Sequence, residues 1–407
     1  MKLCALILAG LIASAAQAEE NGWRNSWDGA LYGYGINTVL RDDSALNPGN
    51  QFAQLPQRRN VAEARFNFKA ESGDVRIALR PILLTQDAGN SFGTAHRNDG
   101  YLSQGQVRLR VAEAWQVSAG REVLNWGVAQ FRSPASPFYF DNGRSDPMRE
   151  LSGVDAAKLV WTLDVHNAAY LARVTGSGHI ANDPWGGTWL LKFDHRGDDS
   201  AFGMVLAQKD GRGTFAGLHG QQSLGDAWML YGEASSYART EALLSPPDTA
   251  QPFSIAAESQ RNTDALFGAN YTFENGHSLA AEYLYYGHGY NADEATAYFA
   301  RVVDANAVGT WQTTGLALAN MPPLLNRDYL HVVWQNNLLD SANNYWHLMW
   351  TRNLVDQSQE FSGYGEMSFS QHISGFAVAV LPLGNAWQEF SSLFDRSITM
   401  GVKVALP

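Results

Sequence analysis

Positively charged side chains recur at matching parity along three segments of the chain. They are Arg65 and Lys69, then Arg76 and Arg80, then Arg108 and Arg110, with Glu63 at the start of the series. Alternate residues of a β-strand point to one face and neighbouring strands lie about 5 Å apart, so these side chains would form one patch on a sheet. Arg and Lys side chains that line a water-filled passage attract anions. The spacing therefore predicts an anion-attracting wall.

The residues that alternate with these cations are apolar. They are Ala62, Ala64, Phe66 and Phe68 on one segment and Val75, Ile77 and Leu79 on the next. A protein core does not accept so many charges, because burying an ionised side chain without a partner is costly. We therefore expect the apolar face to contact lipid and the charged face to line a lumen. The alternative is a soluble β-sandwich with one solvated sheet face.

Two-residue alternation extends through most of the sequence, starting with Ala30, Tyr32, Tyr34 and Ile36, and predicts an all-β protein. Eighteen candidate strands begin near residues 30, 60, 75, 104, 115, 153, 166, 187, 200, 213, 227, 263, 278, 327, 344, 358, 372 and 396. An even number of antiparallel strands closes into a barrel without a free edge, which a sheet in lipid requires. Sixteen strands are possible if those near 115 and 213 are misread.

The links between the candidate strands differ in length. Short turns lie near residues 73, 225 and 275, whereas long links cover residues 42–59, 87–103, 124–152, 239–262, 291–326 and 383–395. Short turns at one end and long loops at the other are typical of outer-membrane barrels. Trp, Tyr and Phe near strand ends fit the aromatic girdles of such barrels. The sequence thus predicts a transmembrane antiparallel β-barrel.

The N-terminus has the features of a signal peptide. Lys2 precedes an apolar stretch and Ala16-Gln17-Ala18 matches a cleavage site, so we expect removal of residues 1–18. Residues 19–407 would form a single barrel domain, exported through the periplasm to the cell outer membrane. The one cysteine, Cys4, lies within the peptide, which excludes disulfides from the mature chain. The formal net charge of −11 argues against nucleic-acid binding.

A long segment at 120–151, rich in aromatic, Pro and Arg residues, is a candidate constriction loop. Its charged candidates for a constriction inside the lumen are Arg132, Asp141, Arg144 and Arg149. Alternatively, it is a surface loop packed on its own aromatic residues. The loop at 291–326 carries apolar residues at helical spacing, with Asp293 placed to cap a helix. Either an amphipathic helix there lids the pore or rests on the rim, or the loop folds on itself.

Further charged residues are assigned to the lumen face. The predicted pore-lining set is completed by Lys158, Arg173 and Lys192, while the inward acids Glu233, Glu282 and Glu366 are more dispersed. In one interpretation the arginine series attracts anions into a pore. In the other, its members pair with Glu63 and with acidic loop residues, and so stabilise the barrel wall.

Three stretches resemble known proteins. They are LRVAEAW at 109–115, AGREVLNWG at 119–127 and RELSGVDAAKLVW at 149–161. The arrangement resembles porin-like outer-membrane barrels of Gram-negative bacteria, among them the alginate-export type and related uncharacterised families, in which a Gly-Arg-Gln/Glu … Trp-Gly turn follows a Glu-Ala strand. The alginate-export likeness implies an anionic polysaccharide as cargo. The chain departs from such barrels at Ala405-Leu406-Pro407, since they usually end in an aromatic residue.

Enzyme signatures are weak. The G-x-S-x-G match at 89–93 lies in a candidate loop, without the strand-turn-helix context of a nucleophile elbow. We expect no enzyme activity, cofactor or bound metal, and predict a channel for passive passage of small anionic solutes. The alternatives are an export channel for an anionic exopolysaccharide, and a loop-plugged barrel with a surface-anchoring or assembly role. The expected partners are outer-membrane lipid and lipopolysaccharide, the outer-membrane assembly machinery and the solute or polysaccharide.

Overall fold

The computed structural model describes residues 22–146, 148–179, 186–209, 213–239, 242–256, 260–336 and 344–406. The signal peptide expected at 1–18 lies outside these residues. The described chain forms an 18-stranded antiparallel sheet in which consecutive strands pair. The last strand pairs with the first, with Gly29 opposite Leu406, and so closes the sheet into a barrel. The predicted all-β barrel of eighteen strands is confirmed.

The barrel strands follow one another in sequence order. They are β1 (Arg24–Leu40), β2 (Arg58–Ser72), β3 (Val75–Asn90), β4 (Gly93–Ala112), β5 (Trp115–Glu122), β6 (Val154–Thr162), β7 (Asn167–Gly176), β8 (Thr188–Arg196), β9 (Ser200–Lys209), β10 (Gly213–Leu224), β11 (Trp228–Arg239), β14 (Gln260–Thr272), β15 (Ser278–Tyr286), β16 (Asp328–Gln335), β17 (Asn344–Asn353), β18 (Gln359–Ser368), β19 (Ile373–Leu383) and β20 (Phe394–Leu406). Two short strands, β12 (Leu243–Leu244) and β13 (Ser254–Ile255), pair with each other between β11 and β14.

The outer face of the barrel is apolar and exposed, whereas the lumen face holds most of the charged side chains. On β14, Phe267 is 61 % exposed on the outside, while the neighbouring Leu266 and Asp264 are buried inside. The same alternation exposes apolar residues on the other strands. Examples are Val107, Leu109, Trp161, Leu191, Phe202, Leu218, Leu348, Met400 and Val402. An apolar band around a closed barrel is the surface that contacts acyl chains.

β1 presents two aromatic residues, Tyr32 and Tyr34, to the lumen, although its Trp27 faces outward. Leu31 is 40 % exposed on the outer face. Tyr32 lies directly opposite Glu63 of β2, and Tyr34 opposite Val61, so both tyrosines face inward. They contact other aromatic side chains there. The alternating tyrosines of this strand therefore mark the lumen face rather than the lipid face.

The two ends of the barrel differ in the length of their connections. Short turns such as 73–74, 113–114, 163–166, 225–227 and 369–372 mark the periplasmic end, and long loops such as 41–57, 123–153, 287–327 and 384–393 mark the outside. Both chain ends of the barrel, Arg24 and Leu406, lie at the short-turn end.

One predicted long loop, at 87–103, is wrong. β3 continues to Asn90 and β4 begins at Gly93, so two residues connect them. The hairpin carries polar cross-strand pairs, among them Asp87 and His96 at 2.7 Å. Residues 92–98 are exposed to water, so an apolar face is not needed there. Without an apolar face the strands show no alternation that a sequence pattern could reveal.

The outer loops pack on one another through two helices, α1 (Ala292–Ala307) and α2 (Trp311–Ala319). Their shared apolar cluster includes Leu46, Phe253, Tyr298, Phe299, Val302 and Leu325. α1 begins at a capping box, in which the Asn291 side chain accepts from the Glu294 N–H at 3.0 Å. The segment is therefore helical, with Asn291 rather than Asp293 as its N-cap. Within the described residues no helix is long and apolar enough to cross a membrane.

Candidate functional site: a cationic lumen wall and the loop that crosses the barrel

A row of polar and charged side chains crosses the lumen face from β2 to β6. In the strand register each residue of this row lies directly opposite the next one, in the order Glu71, Arg76, Arg108, Ser118 and Lys158. Arg76 and Arg108 are thus cross-strand neighbours, and two like charges directly opposite are destabilising unless they are solvated or balanced. Their side chains are 58 % and 41 % exposed. Arg76 Nε lies 3.5 Å from Glu71 Oε1, and Arg108 Nη2 lies 3.9 Å from Glu122 Oε2. The pair is therefore open to water and dissolved ions in the lumen.

Other members of the predicted arginine series take part in close ion pairs. Arg65 donates to both carboxylate oxygens of Glu63, at 2.8 and 3.2 Å, and to the Met148 carbonyl at 2.8 Å. Only 18 % of its side chain is exposed. Lys158 donates to Glu122 at 2.6 Å. These two cations are neutralised by neighbouring carboxylates and stabilise the wall, and the pairing of Arg65 with Glu63 is the one that the alternative interpretation predicted.

The cationic wall therefore divides by depth. Lys69, Arg76 and Arg110 lie near the periplasmic ends of their strands and are exposed to the lumen. Arg108 accompanies them in the row that runs from β2 to β6. Arg80 is intermediate, because it donates to a loop carboxylate, Glu150, at 3.1 Å while 41 % of its side chain stays exposed. The solvated charge is thus concentrated between mid-barrel and the periplasmic mouth.

Arg173 lies on the outer face, so its assignment to the pore lining is wrong. It pairs across strands with Trp189, and its Cζ lies 5.3 Å from the centre of that exposed ring. The lumen positions beside it are Ala172 and Val174, both buried against apolar loop residues. An arginine near the outer end of a strand lies at the membrane surface, where its charge meets water. Charge alone therefore does not identify the lumen face there.

Lys192 does face the interior, but it is buried. Its ammonium group pairs with Asp194 and lies 4.9 Å from the ring centre of Tyr170 and 5.5 Å from that of Trp126. The ammonium is thus enclosed by a carboxylate and two aromatic faces, an arrangement that holds Trp126 of the long loop against the wall.

Residues 123–146 and 148–153, which we call the constriction loop, fold into the lumen. Glu233 of β11 is buried and accepts N–H hydrogen bonds, at 2.6, 2.8 and 3.0 Å respectively, from Val128, Ala129 and Ala135. Hydrogen bonds from several N–H groups stabilise an ionised carboxylate that has lost its water. Glu233 therefore holds the start of the loop against the wall.

A second buried carboxylate, Glu282 of β15, continues this attachment. It accepts from the N–H groups of Gln130 and Phe131 at 2.5 and 2.9 Å, and from the Tyr231 hydroxyl at 2.8 Å. Glu233 and Glu282 lie on strands separated only by β14. Together they fix residues 128–135 in one backbone conformation.

The far end of the constriction loop reaches the cationic wall. Glu150 lies 3.1 Å from Arg80 and 3.8 Å from Arg65, which also binds the Met148 carbonyl. The loop thus contacts the β11–β15 wall through two glutamates and the β2–β3 wall through two arginines. The constriction loop therefore spans the lumen between these two walls and narrows the passage.

The predicted constriction residues all lie in this loop, but they differ in their contacts. Arg144 donates to the carbonyls of residues 127–129 at 2.6 to 3.2 Å, and so stabilises the loop's own turn. Asp141 binds Arg149 at 2.5 Å and lies 3.8 Å from Arg132. We call these three side chains the Asp141 group; they are partly exposed and form a charged surface of the loop that is open to solvent.

Aromatic side chains of β1 and of β17 to β19 line the lumen next to the cationic wall. Ring centres 5.9 to 6.4 Å apart link Tyr345, Tyr364, Phe376, Tyr32 and Tyr34. Gly401 allows this approach, because a Cβ at that position would lie 2.6 Å from the Phe376 ring. The Arg65 guanidinium lies 4.5 Å from the Tyr32 ring centre and joins the two surfaces. The lumen thus has a cationic side and an aromatic side.

Solved structures of outer-membrane porins match the chain over nearly its whole length. OccK11 (OpdR) of Pseudomonas aeruginosa is 11 % identical, with 94 % of this chain and 96 % of that chain covered and a TM-score of 0.56. OccAB1 of Acinetobacter baumannii is 12 % identical at the same coverage, with a TM-score of 0.57. The chain has the fold of these porins. OpdK of Pseudomonas aeruginosa, 12 % identical, covers 94 % of this chain and 98 % of its own, with a TM-score of 0.55.

The porin fold and the apolar outer band place the barrel in the outer membrane, as predicted. The resemblance to porin-like barrels is confirmed at the level of the fold. No family model and no curated protein matches the sequence. The likeness to alginate-export barrels stays a prediction, because similarity at this identity shows the fold alone.

Sequence reasoning missed the role of Glu233 and Glu282. Parity assigns both acids to the inner face, but nothing in it connects them to the loop. The available signal was their setting: each lies in a strand whose other inward residues are apolar or small, such as Tyr231, Ala280 and Leu284. An acid in such a place needs hydrogen-bond donors from elsewhere in the chain. The constriction loop supplies these donors as backbone N–H groups, which no sequence motif marks.

Proposed function

We propose that the barrel is a porin-type channel for passive passage of small anionic solutes, without enzymatic activity. The observation that carries the proposal is the direct cross-strand pair of solvent-exposed arginines, Arg76 and Arg108, on the lumen wall. Positive charge in a water-filled passage lowers the energy of an anion there and raises its local concentration. The ion-paired Arg65 and Lys158 take no part in this attraction.

The proposed path has three sections. A solute enters between the outer loops and passes the constriction loop beside the Asp141 group. It then meets Arg80, Arg108 and Arg76 on the way to the periplasm. Exposed cations beyond the constriction draw anions through it, and water on all sides of these side chains keeps each contact weak enough for release.

A solved neighbour offers support from chemistry. The crystal structure of OpdK was determined with vanillate, which is an aromatic anion. In the present chain an aromatic lumen surface adjoins the cationic one. Such a lumen suits anions that carry an apolar body, and we include them in the proposed solute class.

A plugged barrel is the second candidate, and the attachment of the constriction loop to both walls favours it. Uptake of labelled gluconate and labelled sorbitol into proteoliposomes separates the two proposals. These solutes have similar size, but only gluconate is charged. An anion channel admits gluconate faster than sorbitol, and Arg76→Ala/Arg108→Ala reduces that difference. Equal uptake of both solutes contradicts the role of the wall, and uptake of neither supports the plug.

A further inference from the structure

Six arginine side chains surround the outer face of the barrel near the end that carries the long loops. We call them the arginine collar: Arg58, Arg121, Arg173, Arg261, Arg352 and Arg396. Each lies within three residues of the outer end of its strand. The pore proposed above uses none of them.

The strand register shows that these side chains face outward, because directly opposed residues share a face. Arg58 is opposite Asn37, which is opposite the exposed Ile398 on its other side. Arg396 is opposite Val39, another exposed apolar residue of the outer face.

The remaining members have equivalent partners. The opposed pairs are Arg121 with Asp155, Arg173 with Trp189, Arg261 with Ala238 and Arg352 with Leu330. Three of the six, Arg58, Arg261 and Arg396, are exposed to solvent. The collar therefore presents guanidinium groups to the medium around the barrel.

The other end of the barrel has a different composition. Its outward positions carry tryptophans, namely Trp27, Trp115, Trp161, Trp228, Trp334 and Trp346. Among the residues that the structure describes, no arginine or lysine of a barrel strand faces outward at that end. The lysines of the strands face the lumen instead, and they are Lys69, Lys158, Lys192, Lys209 and Lys403. The outward cations are thus all arginines and all lie at the outer surface.

Acidic residues cancel only part of this charge. In the described strands the register places Asp87, Asp155 and Asp328 on the outer face near the collar, which is fewer acids than arginines. Asp155 accepts from Arg121 at 2.8 and 3.0 Å, and Asp328 accepts from the Tyr283 hydroxyl at 2.5 Å. Asp155 thus neutralises Arg121, whereas Asp328 and Asp87, which lies 2.7 Å from His96, have partners outside the collar.

The collar lies directly above the apolar band. Below Arg173, for example, Leu171 and Leu191 are exposed to lipid, and Trp189 lies beside the guanidinium. Acyl chains that contact such leucines bring their head groups to the level of the arginines. A guanidinium binds phosphate with two parallel hydrogen bonds and is more weakly hydrated than an ammonium. The presence of arginine rather than lysine at all six positions therefore indicates that the ligand carries phosphate groups.

We propose that the arginine collar binds the phosphate groups of phosphorylated saccharide lipids in the outer leaflet of the outer membrane. The acyl chains would lie on the apolar band while the phosphates contact Arg58, Arg261 and Arg396 first, as the most exposed members. Several contacts around one barrel fix a shell of lipid on it.

The experiment measures binding of bis-phosphorylated lipid A to the refolded barrel in detergent by native mass spectrometry. The test variant is Arg58→Gln/Arg261→Gln/Arg396→Gln. Its control, Lys69→Gln/Arg76→Gln/Arg108→Gln, removes three lumen cations and so the same net charge. At roughly fivefold per arginine, we expect lipid binding to weaken on the order of a hundredfold in the collar variant and to stay unchanged in the control. Dephosphorylated lipid A should bind the wild type as weakly as lipid A binds the collar variant.

Four results would overturn the proposal. They are unchanged lipid binding in the collar variant, equal loss in the lumen control, equal affinity for dephosphorylated lipid, and complete displacement of lipid A by millimolar inorganic phosphate, which would show a simple anion site. Because Arg261 donates to Thr214 and Ser236, the double variant Arg58→Gln/Arg396→Gln tests the collar without that change. Anion selectivity is predicted to be normal in both collar variants, so this test is independent of the channel.

Discussion

Arg65 and Arg76 carry the same charge and face the same lumen, yet their surroundings give them different roles. Arg65 is enclosed by Glu63, Glu150 and the Tyr32 ring, whereas the Arg76 side chain is mostly in water. Parity in the sequence predicts that both face inward. It does not predict the ion pairs, because Glu150 comes from a loop that reaches the wall only in the folded chain. The prediction for Arg173 was wrong for a similar reason, since alternation within one strand does not show which of its two faces is inward until its neighbouring strands are known.

These surroundings predict that substitution of Arg65 destabilises the barrel and that substitution of Arg76 does not. Arg65→Ala leaves the Glu63 carboxylate without its bidentate partner in a nearly buried place, so we expect the free energy of unfolding to fall by about 2 kcal/mol. Arg76→Ala removes a solvated like-charge neighbour of Arg108 and should leave stability unchanged. Urea unfolding of the refolded barrels measures both. Equal loss in the two variants would show that the wall does not divide as described.

At the scale of elements, the strands follow from sequence and the loop attachments do not. Alternation predicts the eighteen strands because lipid outside and water inside impose a two-residue period on them. Where both faces meet water, as in the hairpin of β3 and β4, the period is absent and the prediction fails. Composition identifies the constriction loop. Its path is set by hydrogen bonds from backbone N–H groups, which every residue except proline has, so composition alone carries no signal for it.

The attachment of the constriction loop to Glu282 leads to a prediction for this element. Glu282→Gln replaces one acceptor oxygen by an NH₂ group that faces the N–H of Gln130 or Phe131, so one N–H loses its partner. We expect faster hydrogen exchange at residues 128–135 and larger fluctuations of any single-channel current. Glu71→Gln, an exposed carboxylate on the opposite wall, is the control. Unchanged exchange in Glu282→Gln would mean that other contacts hold the loop.

The loop at 384–393 should respond to pH through Glu389. Removal of this carboxyl from water raises its pKa to about 7, against an ordinary value of 4.5, and Asp356 nearby adds to the rise. The carboxyl accepts from Tyr329, Leu325 and Asn353, which join the loop to neighbouring elements. Because the folded state binds this proton more tightly, the stabilisation is complete below pH 4.5 and declines as pH rises to 7.

The measurement for this prediction is the thermal unfolding midpoint at pH 5.5 and at pH 8. Wild type should be more stable at pH 5.5. Glu389→Gln, which mimics the protonated form, should lose most of that difference. A pH dependence that persists in the variant would assign the effect to another group.

At the scale of the whole molecule, the barrel separates two kinds of positive charge. Lysines and one set of arginines line the lumen, and a second set of arginines surrounds the outer rim. The acidic outer loops contribute to the overall charge of −11, so the net charge of the chain describes neither surface. We expect the lumen set to determine which ions pass and the outer set to determine which lipids bind.

The reversal potential across a planar bilayer under a KCl gradient tests the central claim most directly. Wild type should show anion preference, and Arg76→Ala and Arg108→Ala should each reduce it. Arg76→Glu/Arg108→Glu should turn it toward cations, because the charge of the exposed pair changes sign. Arg396→Ala, which removes the same charge from the outer face, should leave the reversal potential unchanged. A conducting wild type without selectivity, or lumen variants that match it, would contradict the account.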